Sequence, residues 1–277
     1  MIKIAYITSH GHSGSTLLDL IISAHPKAFS LGEINMLPSI ARGETIVPEA
    51  GRCPCGANSA HDCEFWSRVE KLIKNKIKLG LNDLDLDSKD DQIFQKHNKI
   101  LFAAIAKVSG SAVLVDSSKS LRRMRRLRGI KGLEIYPVHL IRPAKGLVSS
   151  MIRKKVSPHM LHAIWVYNIG MLKSFIGLIF LRHRVVRYEK MVEDLWVELS
   201  PVMEMFDLDF DQKQTEWAAQ SRHTVGGNGG VKFTDKSDLY LDDRWQKDLN
   251  IFQKTIINIF SLPSYLLNKI KIGLHNP

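Results

Sequence analysis

The sequence KIAYITSHGHSGSTLLDLIIS, at residues Lys3–Ser23, joins three patterns without interruption. An apolar, β-prone run leads into a loop with glycines and small hydroxyl residues, and apolar residues then recur at helical spacing. A strand, a glycine-bearing loop and a helix are typical of an anion-binding loop, because backbone N–H groups and the helix dipole both favour negative charge there. We therefore predict that a phosphate-bearing ligand binds at this loop. The predicted contacts are Ser13, Gly14, Ser15 and Thr16.

The loop differs from the Walker A motif of ATPases and GTPases. That motif, G-x-x-x-x-G-K-[ST], carries a lysine that reaches the β and γ phosphates. Here Ser15 follows Gly14, so the lysine is absent. An ordinary nucleotide triphosphatase is therefore disfavoured, and a plain strand-to-helix turn remains as the alternative.

Composition sets the class of the chain. With 277 residues, 44% of them hydrophobic and 24% charged, it has room for one large or two small globular domains. A net charge of +11 predicts attraction to polyanions such as nucleotides, sulfated sugars, nucleic acid or a membrane surface. The amino terminus lacks the pattern of a signal peptide, and the apolar segment 164–181 is interrupted by polar residues. We expect a cytoplasmic protein without stable membrane insertion.

Strands and helices alternate along the chain. Apolar runs at 28–31, 111–116, 134–141 and 185–188 predict further strands, although Pro137 weakens the third, and helical periodicity lies between them. This order predicts an α/β fold with a doubly wound, mainly parallel central sheet flanked by helices. The acidic segment 82–91 is expected to be a solvated connection. No linker or repeat divides the chain, so we expect one domain.

Several predicted strands end in polar residues suited to an anionic ligand. Glu33 follows the second strand, Lys119 the third and Arg142 the fourth. Ligands of open parallel sheets bind at the carboxyl ends of the strands. Ser150 lies eight positions after Arg142, a spacing that lets both side chains reach one phosphate near a helix amino terminus.

Taken together, these residues resemble the sulfotransferase superfamily, whose sulfuryl donor is 3'-phosphoadenosine 5'-phosphosulfate (PAPS). The loop 12–16 is similar to the family's 5'-phosphosulfate loop, and Arg142 with Ser150 matches its 3'-phosphate pair. The run 187–189 (R-Y-E) and the late segment from His223 through Asp243-Arg244-Trp245 also resemble family segments, so the likeness covers roughly residues 3–247.

The resemblance implies a P-loop-like sulfotransferase fold over residues 1–277, with a cysteine-containing insertion at about 38–65. It implies transfer of a sulfuryl group from PAPS to an acceptor hydroxyl or amine, with 3',5'-adenosine bisphosphate (PAP) as product and no metal required. Glu33 is the expected base, His12 would steady the leaving oxygen, and Lys119 and Lys232 are further expected nucleotide contacts. The acceptor would be a small molecule, carbohydrate or lipid.

Two departures from the family pattern concern the donor site. His12 stands where cytosolic members carry lysine, so its charge near neutral pH is conditional. Residues 227–232 read G-N-G-G-V-K, looser than the usual G-N-P-x-R, which leaves Lys232 as an uncertain match.

The three cysteines form a separate cluster with a histidine, in the pattern C-x-C-x5-H-x-C. Cysteine and histidine are zinc ligands, but this spacing is tighter than that of zinc ribbons. A redox-sensitive loop, unmodified thiols or a family insertion near the acceptor compete with zinc. The tentative ligands are Cys53, Cys55, His61 and Cys63.

Two other function classes remain open. One is a P-loop kinase that uses ATP and Mg²⁺, and the other is a non-catalytic basic protein that binds RNA. The run of arginines between 122 and 128 is the main feature in favour of RNA. It lacks interleaved aromatic residues and any recognised reader motif, so we expect no nucleic-acid partner. The sequence does not indicate an oligomeric state.

Overall fold

The computed structural model describes residues 1–44, 51–220 and 222–274. Its sheet has five strands in the order β2-β3-β1-β4-β5. The pairings of β1 with β3, β2 with β3 and β4 with β5 are all parallel. The α/β fold with a mainly parallel sheet and flanking helices is thus confirmed. The strands are β1 (Ile2–Ser9), β2 (Ala28–Gly32), β3 (Val113–Asp116), β4 (Leu133–Ile141) and β5 (Arg184–Arg187).

Helices occupy most of the remaining described chain. Short 3₁₀ turns lie at Ile34–Met36, Leu81–Asp83, Gln212–Gln214 and Trp217–Ala219. The α-helices are α1 (Ser15–Ser23), α2 (Leu37–Ala41), α3 (Glu64–Ile77), α4 (Asp91–Ser109), α5 (Leu121–Leu127), α6 (Ala144–Arg153), α7 (Met160–Leu178), α8 (Tyr188–Glu193), α9 (Leu195–Glu204), α10 (Gly229–Lys232), α11 (Trp245–Asp248) and α12 (Ile251–Leu274).

Contacts divide the chain into two compact units. Unit 1 comprises residues 1–7, 16–136 and 203–237, and unit 2 comprises residues 8–15, 137–202 and 238–277. Unit 1 contains β2, β3 and most of β1, together with the helices between them. Unit 2 contains β5 and most of β4, with α6, α7 and α12. The expectation of a single domain is not tested by this division and stays a prediction.

The strands form because their apolar runs are buried. Residues 4–7 of β1 and 113–115 of β3 are fully buried, as expected of parallel strands covered on both faces. Pro137 does not interrupt β4, because the described pairing with β5 starts one residue later, at Val138. The proline therefore removes no backbone donor from that pairing.

The charged side chains of the acidic segment 82–91 are exposed, as expected of a solvated connection. The segment is nevertheless anchored to the core, because Leu84 and Leu86 are buried and the carbonyl oxygen of Leu86 accepts a hydrogen bond from Arg123. Counting charges alone does not show these buried positions, since the leucines alternate with the exposed charges. Elsewhere, none of the described helices is both long and apolar enough to cross a membrane.

Candidate functional site

The loop between β1 and α1 has a backbone that depends on glycine. Gly14 has a φ of +97°, and a Cβ there would lie 2.8 Å from the ring of Tyr188. Any other residue would therefore be strained both in its backbone and against the ring. His12 also has a positive φ, +66°, an uncommon conformation for a residue with a side chain. Ser13 and Ser15 are buried, so their hydroxyl groups lie inside the loop and not on the open surface.

Arg142 lies directly beneath this loop, within unit 2. Its Nη1 donates a hydrogen bond to the carbonyl oxygen of His12 at 3.1 Å, and its guanidinium stacks 4.5 Å from the centre of the Tyr188 ring. The side chain is almost completely buried. Its Nε has no hydrogen-bond partner among the described residues. A buried cation with one unused donor can bind an anionic ligand, because such a ligand would supply both charge and an acceptor.

Helix α6 places Ser150 on the face that Arg142 packs against. A Cβ at Gly146 would lie 2.9 Å from Arg142 Nε, so the guanidinium rests on the first turn of this helix. Gly146 and Ser150 are four positions apart, which puts them on the same side of a helix. The structure thus brings Arg142 and Ser150 to a common face of α6.

A carboxylate already interacts with Arg142. Asp242 lies 3.1 Å from Arg142 Nη2, 3.7 Å from Arg153 and 2.6 Å from Arg244. Hydrogen bonds from Arg244 and then Arg142 lower the pKa of Asp242 well below the usual range of an aspartate. Asp242 is therefore ionised throughout the physiological pH range. Its negative charge offsets part of the positive charge of Arg142 that would otherwise attract a phosphate.

In unit 1, two predicted site residues form an ion pair. Lys119 Nζ donates a hydrogen bond to Glu33 Oε1 at 2.5 Å, and both side chains are partly exposed. Lys119 has a positive φ, +67°, which turns the chain sharply just after β3. The pair fixes the position of the Glu33 carboxylate and leaves it accessible to solvent and to a ligand.

A late segment of the chain borders Glu33 and Thr16. Val225 forms a parallel bridge with Gly32, and its carbonyl oxygen accepts a hydrogen bond from the N–H of Glu33 at 2.8 Å. The next two residues, Gly226 and Gly227, have positive φ. A Cβ at Gly226 would lie 3.2 Å from Glu33 Cβ, and one at Gly227 would lie 3.1 Å from Thr16 Oγ1. The two glycines therefore permit a close approach of the backbone to both residues.

Lys232 makes a backbone contact within unit 1. Its side chain is buried in unit 1, and its Nζ donates a hydrogen bond to the carbonyl oxygen of Arg52 at 2.7 Å. Burial lowers the pKa of Lys232 to about 8. We therefore do not include Lys232 in the donor site proposed below.

The cysteines gather around a histidine, but it is not His61. The four side chains whose ligand atoms all lie within 4.8 Å of one another are Cys53, Cys55, Cys63 and His223. His61 instead directs Nε2 to the carbonyl oxygen of Ala41 at 3.1 Å and Nδ1 towards Glu70 at 3.8 Å. The assignment of His61 to the cluster was therefore wrong. His223 lies 160 positions from Cys63, so no local spacing could have found it.

Electrostatics distinguish the thiols. The hydrogen bond with Cys53 and the nearby His223 lower the pKa of Cys63, whereas the hydrogen bond with Cys63 and then burial raise the pKa of Cys53. Cys63 is also the N-cap residue of α3, where a negative charge is favoured by the helix dipole. The cluster therefore favours at least one thiolate.

The arginines of α5 do not form a continuous basic face. Arg123 is buried and bonds to Asn98 and Leu86, and Arg126 stacks 3.7 Å above the ring of Phe94. These two side chains hold α5 against α4 and the preceding segment. Their structural role removes much of the argument for an RNA-binding surface.

Unit 2 also contains a cavity of about 510 Å³. It begins at Pro143, directly after Arg142, and its lining is mainly apolar with Lys145 and Glu189 among the polar residues. Small-molecule sites commonly have volumes of about 300–1,000 Å³. The cavity is therefore large enough for part of an organic ligand.

Comparison with known proteins identifies the fold. No protein-family model and no curated protein matches the sequence. Among solved structures, a sulfotransferase domain from the curacin biosynthetic pathway shares 19% identity at a TM-score of 0.63, covering 94% of this chain and 97% of that chain. A sulfotransferase domain from the Synechococcus PCC 7002 olefin synthase shares 20% identity at a TM-score of 0.58, covering 94% of each chain. The chain therefore has the fold of sulfotransferase domains.

Proposed function

We propose that this protein is a sulfotransferase that moves a sulfuryl group from PAPS to an acceptor hydroxyl or amine. The observation that carries the proposal is the lysine-free anion loop at residues 12–16 with a buried arginine, Arg142, bonded to its backbone. A nucleotide triphosphatase needs the Walker lysine and a metal to neutralise a triphosphate. A sulfuryl group carries less charge, so backbone N–H groups, hydroxyls and one arginine are sufficient. The shared fold supports the same conclusion.

The residues of each unit have separate roles in this proposal. In unit 2, the backbone of Ser13, Gly14 and Ser15 would bind the 5'-phosphosulfate, and Arg142 with Ser150 would bind the 3'-phosphate. The unpartnered Nε of Arg142 fits that role, because a phosphate oxygen would complete its hydrogen bonding. His12 would donate a hydrogen bond to the bridging oxygen, and Thr16 would add a hydroxyl group in unit 1.

Glu33 is the proposed base. PAPS supplies an activated sulfuryl group whose S–O bond to the phosphate breaks as a new bond to the acceptor forms. Glu33 would take the proton that the acceptor loses, and the 2.5 Å contact with Lys119 holds the carboxylate in place for that transfer. The acceptor would be a sugar, a lipid or another small molecule.

Thermal shift distinguishes this proposal from its rivals. We expect stabilisation by PAP without added Mg²⁺, since binding to the folded state alone raises the melting temperature. Stabilisation only by ATP with Mg²⁺ would indicate a kinase, and a response to RNA alone would indicate a nucleic-acid-binding protein. Neither result is compatible with a PAPS site.

Variants then assign the roles. Arg142→Ala should weaken PAP binding by about 10- to 100-fold, the usual effect of losing a charge-assisted hydrogen bond. Arg128→Ala is the matched control, because Arg128 is exposed and its substitution removes the same charge. Glu33→Gln should lower kcat by about 100-fold or more and leave the Kd for PAP within about twofold. Unchanged turnover in Glu33→Gln, measured with labelled donor, would exclude Glu33 as the base.

A further inference from the structure

We propose that Cys53, Cys55, Cys63 and His223 form a structural zinc site. The Sγ atom of Cys63 lies 3.7 Å from both other sulfurs and 3.2 Å from His223 Nδ1, and Cys53 Sγ lies 3.6 Å from the same nitrogen. For tetrahedral zinc with bonds of about 2.3 Å to sulfur and 2.0–2.1 Å to nitrogen, the ligand atoms are separated by about 3.8 Å for two sulfurs and 3.5 Å for sulfur and nitrogen. These four distances lie within about 0.3 Å of the tetrahedral values, and all four ligand atoms lie within 4.8 Å of one another.

The same distances argue against a disulfide. Bonded sulfurs lie about 2.05 Å apart, whereas both measured separations are 3.7 Å. Cys63 is equally close to two partners, an arrangement that suits a shared ion and not one exclusive bond. Three cysteines would also leave one thiol unpaired after any single disulfide forms.

The ligand side chains are held in position by their surroundings. The ring of His223 stacks on Phe65, with centroids 4.9 Å apart and planes 8° apart. Trp66 Nε1 donates a hydrogen bond to the His223 carbonyl oxygen at 2.9 Å, which fixes the backbone of the histidine. A tight turn, with Gly56 N–H bonded to the Cys53 carbonyl at 3.0 Å, brings Cys53 and Cys55 to the same side. This preorganisation reduces the entropy lost when an ion binds.

Four protein ligands make the site structural. Catalytic zinc keeps one position open for water or substrate, whereas a set of three cysteines and one histidine fills all four. Cys53 and Cys63 are buried and Cys55 is exposed, so an ion can enter from the Cys55 side. The zinc would join the segment before α3 to His223, two residues before Val225. It would thereby support the glycines that border Glu33 and Thr16.

The test is the zinc content of the full-length protein, prepared without an affinity tag. We expect about one zinc ion per chain, as for other four-ligand structural sites. Cys63→Ser and His223→Ala should lose most of that zinc. His61→Ala is the matched control and should retain it, because His61 lies within the same segment but outside the cluster. Equal zinc loss in all three variants, or none in any, would overturn the assignment.

Two measurements on the unaltered protein cover the case in which variants fail to fold. Cobalt replacing the zinc should give thiolate-to-cobalt charge-transfer absorption and the visible bands of a tetrahedral ion. Thiol titration of the native protein should find the cysteines protected until a chelator is added. Three reactive thiols without chelator, or a disulfide by mass spectrometry, would refute the proposal. Because none of these readouts uses activity, they remain decisive if the protein is not a sulfotransferase.

Discussion

Replacing Asp19 by asparagine should change how stability depends on pH. Asp19 lies on α1 and is fully buried, and one carboxylate oxygen accepts a hydrogen bond from Ser117 at 2.7 Å. The other oxygen has no hydrogen-bond partner among the described residues. Burial raises the pKa of Asp19 from 3.8 to about 7, only partly opposed by the nearby hydroxyl groups of Ser30 and Ser117. The folded protein therefore holds this proton at pH values where the unfolded chain has released it.

The direction and size of the pH effect on the free energy of unfolding follow from that difference in pKa. A raised pKa in the folded state stabilises the protein fully below pH 3.8, and the contribution is lost as the pH rises through about 7. At 1.36 kcal/mol per pKa unit, the whole loss is at most about 4 kcal/mol, of which about 2–3 kcal/mol falls between pH 5 and pH 8. Structural relaxation, and the new amide N–H₂ group of asparagine, will make the stability gained by Asp19→Asn at high pH smaller than this loss.

The assay is urea unfolding at pH 5 and pH 8 for the unaltered protein and for Asp19→Asn. We expect the variant to be more stable than the unaltered protein by about 1–2 kcal/mol at pH 5, where the unfolded chain has already ionised Asp19, and by at most about a further 2–3 kcal/mol at pH 8, since protonated aspartate resembles asparagine. Asp238→Asn is the control, because Asp238 is exposed. The same pH dependence in Asp19→Asn and the unaltered protein would show that Asp19 does not titrate in this range.

Two further predictions concern the proposed donor site. Gly14→Ala should lower the free energy of unfolding by about 1–3 kcal/mol, through its positive φ and the clash with Tyr188. Gly11→Ala in the same loop meets nothing within 4 Å and should have little effect in the same urea titration. Asp242→Asn should tighten PAP binding about 3- to 10-fold by calorimetry, because it removes a carboxylate that competes for Arg142. Weaker binding would instead show that Asp242 positions the arginine for the phosphate.

The sheet and the loop between β1 and α1 were predictable because their signals are local. Continuous apolar runs such as residues 113–116 read as buried strands, and the loop at 12–16 lies between a strand pattern and a helical pattern. The position of Glu33 and Lys119 at the same edge of the sheet followed from the general place of strand ends in a parallel sheet. The ion pair between them had no signal in the sequence.

The remaining features depend on residues that are distant in sequence. His223 joins the cysteines only because Val225 pairs with β2, and that pairing has no local pattern. The sequence suggests Lys232 as a nucleotide contact, yet its side chain is buried and donates a hydrogen bond to the carbonyl oxygen of Arg52. The role of a polar side chain that bonds to one residue distant in sequence cannot be predicted locally, since the sequence shows the side chain but not its partner.

The pairing of Val225 with Gly32 also affects how the chain avoids aggregation. β2 is the outer strand of the sheet on its side, and Val225 exchanges two backbone hydrogen bonds with it, through Leu31 and Glu33. Exposed outer strands are templates for pairing with other chains. Gly32 and Val225 are 193 positions apart, so Val225 can pair with the outer edge of β2 only late in synthesis. A chain truncated before Val225 would leave β2 uncovered and open to pairing with a second molecule.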